Sequence, residues 1–267
     1  MEGGAGMRQI LGRKQTSHND DWIYAMAHIE ELISPEEVKD YADEALTEIR
    51  RATDGKRAAY AYSAGKDSIV LANLCEKAGI TTGYFAYCDL DYPAFVAWVK
   101  EHKPAGVQMM HTGYGLDWLY HHQNLIFAEG TIGQRWHQIS QRGPFTQMFF
   151  DNRLDLLLMG HRTIDGNFCG PDGYIRKSSG EVRFSPLRAW PHEALLGYIH
   201  YNNLALPPIY GWKDGWVQGT HAWPEREFCS EDIMKGYREI YEIDPSIVLN
   251  AAKKIPSARR FLEGVGA

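Results

Sequence analysis

The sequence predicts an α/β fold: a doubly wound, mainly parallel sheet with helical additions at both ends of the chain. Three observations carry this expectation. Short apolar runs at 57–62, 82–87, 107–111 and 154–159 alternate with stretches whose apolar residues recur at helical spacing. Strands that alternate with helices pair in parallel. The first run passes through the small-residue turn Ser63-Ala64-Gly65 into Lys66-Asp67-Ser68, followed by a helical pattern at Ile69, Val70 and Leu74. Ligands of such sheets bind beyond the carboxyl ends of the strands. The turn, Asp89 and His111 are therefore all expected on one edge.

The elements follow in order. Residues 1–20 mix Gly, polar and basic residues without periodicity and read as a mobile tail. A short helix is predicted over 21–32, with Trp22, Ile23, Met26 and Ile29 on one side. Ser34-Pro35-Glu36-Glu37 combines an N-cap Ser, Pro at the first helical position and Glu at the capping-box position. That pattern starts a helix to about Arg51, and Asp54-Gly55 ends it. These N-terminal helices, 21–54, precede an α/β domain predicted over 55–210. Within it a helix follows the turn and ends near Gly79, and Cys88-Asp89-Leu90-Asp91 closes the second strand. A helix then carries Phe95, Trp98 and Val99, and a longer one is expected over 131–152, interrupted around Gly143-Pro144. The apolar strand 154–159 runs directly into Gly160-His161-Arg162-Thr163-Ile164-Asp165, which puts two cations at the same carboxyl edge. Residues 169–180, rich in Gly, Asp, Ser and Lys, read as a mobile flap with an exposed Cys169. A helix through Leu195, Leu196, Tyr198 and Ile199 leads to an extended connection at 203–210. Residues 211–267 form a Trp-rich segment and C-terminal helices packed on the same domain. Trp212, Trp216 and Trp223 suit either stacking on a base or packing as satellites of the core. Lys253, Lys254, Arg259 and Arg260 read as solvated helix ends favoured by the dipole.

Composition bounds the function. With 267 residues, 44% of them hydrophobic, the chain can build a substantial core. Its net charge of -6 argues against broad adhesion to nucleic acid or an anionic membrane. Nucleic acid is therefore not indicated as a partner. The four cysteines, Cys75, Cys88, Cys169 and Cys229, show no Cys-x-x-Cys spacing, so neither a structural zinc nor an iron–sulfur cluster is expected. Reduced thiols, no apolar run at the start and no membrane-spanning segment point to the cytoplasm.

The turn after the first strand carries the chemistry. Ala64 and Gly65 let the backbone approach an anion closely, and the incoming helix points its N–H groups and positive dipole end at it. Ser63 and Ser68 add hydroxyls, Lys66 a cation, and Asp67 a carboxylate for a metal or a helix cap. It is not a Walker A loop, because Tyr60 stands where the first Gly belongs and Asp67 follows the Lys. The residues alone leave two readings open: a phosphate cradle, or an ordinary turn in which Asp67 or Ser68 caps the helix. Arg162 likewise suits a second phosphate or sulfate, or a pair with Asp165 that holds a loop.

Ser63-Ala64-Gly65-Lys66-Asp67-Ser68 closely resembles the Ser-Gly-Gly-Lys-Asp-Ser signature of the N-type ATP pyrophosphatases, the PP-loop enzymes, with only Ala64 departing. Three more stretches resemble the phosphoadenosine phosphosulfate reductase and ATP sulfurylase small-subunit branch. Gly160 to Asp165 is similar to its Gly-x-Arg-x-x-Glu element, Ser185-Pro186-Leu187-Arg188-Ala189-Trp190 to its Pro-Leu-x-x-Trp turn, and Leu206-Pro207-Pro208-Ile209-Tyr210 to its Leu-Pro-x-x-x-Tyr connection. The resemblance implies binding of a small-molecule nucleotide and cleavage of ATP between the α- and β-phosphates by an adenylyl transferase of sulfur metabolism. It implies catalytic roles for Lys66, Asp67 and Arg162. It implies nucleotide contacts at Ser63, Ala64, Gly65, Ser68, Asp89, Gly160 and His161 as well, with magnesium at Asp67 or Asp89. A protein partner subunit belongs to the ATP sulfurylase comparison, and a homodimer is also open. The C-terminal nucleophile of the reductases, in Glu-Cys-Gly-Leu-His, is missing from Phe261-Leu-Glu-Gly-Val-Gly-Ala267, and Thr220 stands where a cluster-binding Cys would be. Ala194 also replaces an acidic residue usual after the branch's Trp. Two alternatives remain: a reductase with Cys169 or Cys229 as a relocated nucleophile, and a nucleotide-binding regulatory or nucleic-acid-modification partner without turnover.

Overall fold

The computed structural model describes residues 11–12, 17–226 and 232–266. Helices α1 (Asn19–Ala27), α2 (Ile29–Leu32) and α3 (Pro35–Thr53) come first. The predicted helix over 21–32 is thus two. His28 stacks on Tyr24, and its N–H (3.1 Å) and its Nδ1 (2.9 Å) both meet the Tyr24 carbonyl where α1 ends. At α3 the capping box forms as read: Glu37 N–H donates to Ser34 Oγ, and the Glu37 carboxylate accepts from Ser34 N–H at 2.9 Å.

Strand β1 (Ala58–Ala61), helix α4 (Lys66–Lys77), β2 (Gly83–Tyr87), α5 (Pro93–His102) and β3 (Val107–His111) then alternate. Helices α6 (Leu116–Tyr120), α7 (Gly130–Gly133) and α8 (Gly143–Asp151) follow, with a π-helical stretch, His137–Arg142, before α8. The interruption expected at Gly143-Pro144 therefore falls earlier. Pro144 sits in the first turn of α8, where no N–H is needed, and so begins a helix rather than breaking one. Next come β4 (Leu156–Leu158), β5 (Tyr174–Arg176), β6 (Val182–Phe184) and α9 (His192–Tyr201). The chain continues through α10 (Gly215–Gln218), α11 (Ile233–Ile243), α12 (Pro245–Ala251) and α13 (Pro256–Val265).

The six strands form one sheet in the order β3-β2-β1-β4-β6-β5. β1 pairs parallel with β4, Ala59 opposite Leu157, and β4 parallel with β6, Leu158 opposite Phe184. The mainly parallel α/β fold expected from the sequence is present. β5 is the antiparallel edge, and it corrects the flap reading of 169–180. Tyr174 pairs with Phe184 and Arg176 with Val182, and fully buried Glu181 binds both Lys177, at 2.6 Å, and Arg183. Charges satisfied across a tight turn make a hairpin from a composition that looks like loop.

Two compact units make up the chain. The first gathers the described residues up to Gly83, Pro104–Val107 and Phe149–Leu206. Its centre is α9, which packs against α1, α2, α3 and α4 and is buried along nearly its whole length. The second comprises Tyr84–Lys103, Gln108–Met148 and the described residues from Pro207 onward. There the Trp-rich segment packs as core: Trp216 tilts against Tyr210, Trp223 meets Phe127 edge-on, and Trp212 lies 4.8 Å from Tyr92. Trp216 and Trp223 are buried, which favours satellite packing over an exposed stacking platform. No described helix is long and apolar enough to cross a membrane.

Candidate functional site

The site builds from the turn between β1 and α4. Ser63 N–H donates to Ser68 Oγ at 3.1 Å, Ser68 Oγ donates to the Gly65 carbonyl at 2.9 Å, and Gly65 N–H donates to Ser63 Oγ at 3.3 Å. The two serines thus tie the loop into a closed ring against the first turn of α4. Ala64 sits at its apex, fully buried with φ at +54°, a left-handed conformation that glycine adopts more readily. A helix of this length presents first-turn N–H groups that no carbonyl of the helix accepts.

Three charged side chains meet there. Asp67 Oδ2 accepts from Lys66 Nζ at 2.8 Å, and its Oδ1 accepts from Arg162 Nε at 2.6 Å. Burial by itself would raise the Asp67 pKa, but Lys66 and Arg162 hold its carboxyl well below the usual carboxylate range. Lys66 is 4% exposed, and its ammonium also lies 5.1 Å from the centre of the Trp22 ring.

Arg162 is fully buried. It donates to Asp67 from Nε, to the Trp190 carbonyl from NH1 at 3.2 Å, and to both Asp165 (3.0 Å) and His192 Nδ1 (3.1 Å) from NH2. Four of its five N–H groups are placed by the protein. The Arg162–Asp165 pair weighed against anion binding is therefore formed, and it coexists with the Asp67 pair. Thr163 ties the same segment down, its N–H and hydroxyl both donating to the Arg188 carbonyl. The Gly160–Asp165 and Ser185–Trp190 motifs, apart in sequence, thus bond to each other. Gly160 permits the close approach, since a Cβ there would lie 3.1 Å from the Asp67 carbonyl group. His161 is half-buried.

The remaining expected residues lie elsewhere. Asp89 belongs to the second unit, where its carboxylate meets His111 Nε2 at 2.8 Å and is 69% exposed. Cys169 corrects its reading: it is 2% exposed, and burial pushes its thiol pKa up. A buried, protonated thiol is a poor nucleophile. Cys229 lies outside the described residues. Among the described residues no group of three or more His, Cys, Asp or Glu side chains gathers as a metal cluster would.

Sequence reasoning missed His192, Trp22 as a site residue, and the Gly12 carbonyl. Leu11 and Gly12 fall in the segment read as a tail, yet Leu11 is fully buried and the Gly12 carbonyl lies 3.0 Å from His192 Nε2. One signal was available. A His at the first position of a helix is disfavoured when charged, which marks His192 as a residue kept neutral.

The fold and site define a PP-loop nucleotide-binding protein: a mainly parallel sheet with a Ser-x-Gly-Lys-Asp-Ser turn at the start of a helix. Residues 57–215 match the model of the phosphoadenosine phosphosulfate reductase domain, and the chain belongs to that family. Among solved structures, the phosphoadenylyl-sulfate reductase from Candida auris, in a phosphate complex, superposes with a TM-score of 0.51 at 14% identity, over 72% of this chain and 96% of its own. That likeness shows a shared fold. The U34-tRNA thiolase NcsA from Methanococcus maripaludis (TM-score 0.45, 15% identity, 84% of this chain and 80% of its own) and the NH3-dependent NAD synthetase from Campylobacter jejuni (0.44, 11%, 84% and 96%) are more distant. No curated protein sequence matches the chain.

Proposed function

We propose that the chain is an ATP-dependent adenylyl transferase that cleaves ATP between its α- and β-phosphates. The observation that supports this reading is the Lys66-Asp67-Arg162 triad at the start of α4, where two cations and one ionised carboxylate adjoin a small-residue loop. An acceptor oxygen attacks the α-phosphorus and loses its proton. The bond to the bridging oxygen breaks, and pyrophosphate leaves with the bonding electrons. Ser63, Ala64, Gly65 and Ser68 hold the pyrophosphate portion, and Gly160 and His161 border it. Lys66 offsets the charge that grows on the leaving group. Arg162 does so chiefly through its field, with four of its five donors committed to the protein.

Magnesium suits this donor set, since it takes one or two carboxylates together with phosphate oxygens. Asp67 is ionised with 25% of its side chain exposed, and it would hold the ion. When bound, it neutralises phosphate charge as a Lewis acid. The test is to incubate the protein with ATP, magnesium and a panel of oxygen acceptors and identify the products. Pyrophosphate with an AMP adduct is expected. ADP and phosphate alone, under every condition, would overturn the reading. Burial of Cys169 speaks against the reductase alternative that uses it.

A further inference from the structure

We propose that His192 is a positioning residue of this site, holding the Arg162 guanidinium through Nδ1 and joining it to the N-terminal segment through Nε2. The ring is fully buried at the start of α9 and is engaged at both nitrogens. Arg162 NH2 can only donate, so the Nδ1 it meets at 3.1 Å must be the acceptor. The Gly12 carbonyl can only accept, so Nε2, 3.0 Å away, must carry the proton. The neutral Nε2–H tautomer is the one form that satisfies both partners. Trp22 fixes the ring plane, its own ring meeting the imidazole edge-on at 4.5 Å and 78°.

The charged groups around the ring agree with this assignment. Arg162 and Asp165 come from the segment after β4, and Lys66 and Asp67 from α4. Among the described residues of the N-terminal segment and α1, the Gly12 carbonyl and the Trp22 ring meet the imidazole. Burial, Arg162 and Lys66 together push the His192 pKa down to about 3, and the positive end of α9 acts in the same direction.

Positioning follows from the shape of Arg162. A planar guanidinium keeps its orientation only when both of its ends are held. Nε is held by Asp67 and NH1 by Trp190, while NH2 depends on Asp165 and His192. Without the Nδ1 acceptor, NH2 keeps Asp165 alone, and the Nε contact that sets Asp67 beside the loop loses its fixed direction. Gly12, ahead of α1, thereby becomes part of the site's support through its carbonyl.

The activity arm of the test rests on the proposed transferase reading; the spectroscopic arm does not. In His192→Gln the amide reaches toward Gly12 but leaves no acceptor at the Nδ1 position, whereas His192→Asn puts an oxygen there. Loss of an outer-shell partner costs about 10–100-fold. His192→Gln is expected to lower kcat for pyrophosphate release by about 10-fold with KM for ATP within about twofold, and His192→Asn to recover most of it. Equal losses in both variants, or none in His192→Gln, would overturn positioning. Imidazole 15N shifts of the full-length wild-type protein at pH 7 should show a protonated Nε2 and a bare Nδ1. An Nδ1–H tautomer or an imidazolium would overturn the proposal. If the wild type releases no pyrophosphate, the transferase reading fails, and the ring nitrogens still decide the role of His192.

Discussion

Replacing Asp67 with Asn removes a charge while nearly preserving shape, and the structure sets the size of the effect. The carboxylate is shared by Lys66 and Arg162, whose side chains are 5% and 0% exposed, at 2.8 and 2.6 Å. The amide leaves both buried cations without their common counter-ion. Breaking a buried pair costs about 3–5 kcal/mol. Arg162 retains Asp165 at 3.0 Å and a quarter of the Asp67 side chain meets solvent, so the loss falls near the lower end, about 3 kcal/mol. For a chain of this size that is a fall in Tm on the order of 6–12 °C. The pH dependence has a definite sign. Asp67 titrates below its unfolded value of 3.8, so its stabilisation is complete above that pH and is lost as pH falls through the lower folded pKa. Thermal unfolding followed by circular dichroism should therefore show a gap between wild type and Asp67→Asn that is constant from neutral pH down to about 5 and closes only below 3.8. A variant Tm within about 2 °C of wild type at pH 7 would refute the shared counter-ion.

Three further expectations follow from single contacts. Gly160→Ala places a methyl 3.1 Å from the Asp67 carbonyl and 3.3 Å from Ser68 N, backbone atoms that must shift, so a loss of about 1–3 kcal/mol in urea unfolding is expected; unchanged stability would mean the loop is not held against β4. Ala64→Gly relieves an L-residue at φ +54°, and should leave stability equal or higher by up to about 1 kcal/mol; a clear destabilisation would argue against the left-handed apex. In a Cys229→Ser protein the remaining thiols, Cys75, Cys88 and Cys169, are all buried. Ellman's reagent should then react only after denaturant is added, and prompt labelling of the native protein would contradict the burial of Cys169.

Local signals were legible in the sequence and non-local ones were not. The capping box of α3, the 107–111 strand and the Ser63–Ser68 turn each depend on residues a few positions apart. The β5–β6 hairpin does not show in composition, because its Gly, Asp, Ser and Lys content reads as loop. What orders it is the buried Glu181 between two cations and strand pairing across the turn. Arg162 was readable as a cation at the functional edge. That four of its donors are taken by Asp67, Asp165, Trp190 and His192 is visible only once distant segments meet. The tryptophans suited stacking or packing equally well by type, and their ring neighbours decide for packing.

The spacing of the site's partners along the chain has a consequence for biosynthesis. Asp67 and Arg162 are 95 residues apart, Glu48 and Arg188 140, and Gly12 and His192 180. At synthesis rates of about 5–20 residues per second, roughly 9–36 s separate emergence of the first and last of these. Contacts of such long range also close slowly. For about 5–19 s of that interval, the time taken to synthesise the 95 residues between Asp67 and Arg162, the nascent chain carries Ser63–Ser68 with Lys66 and Asp67 but neither Arg162 nor His192. A ribosome-bound intermediate would own the Ser63–Ser68 loop and lack the buried guanidinium packed behind it, so the charge cluster is completed only after most of the chain has been translated.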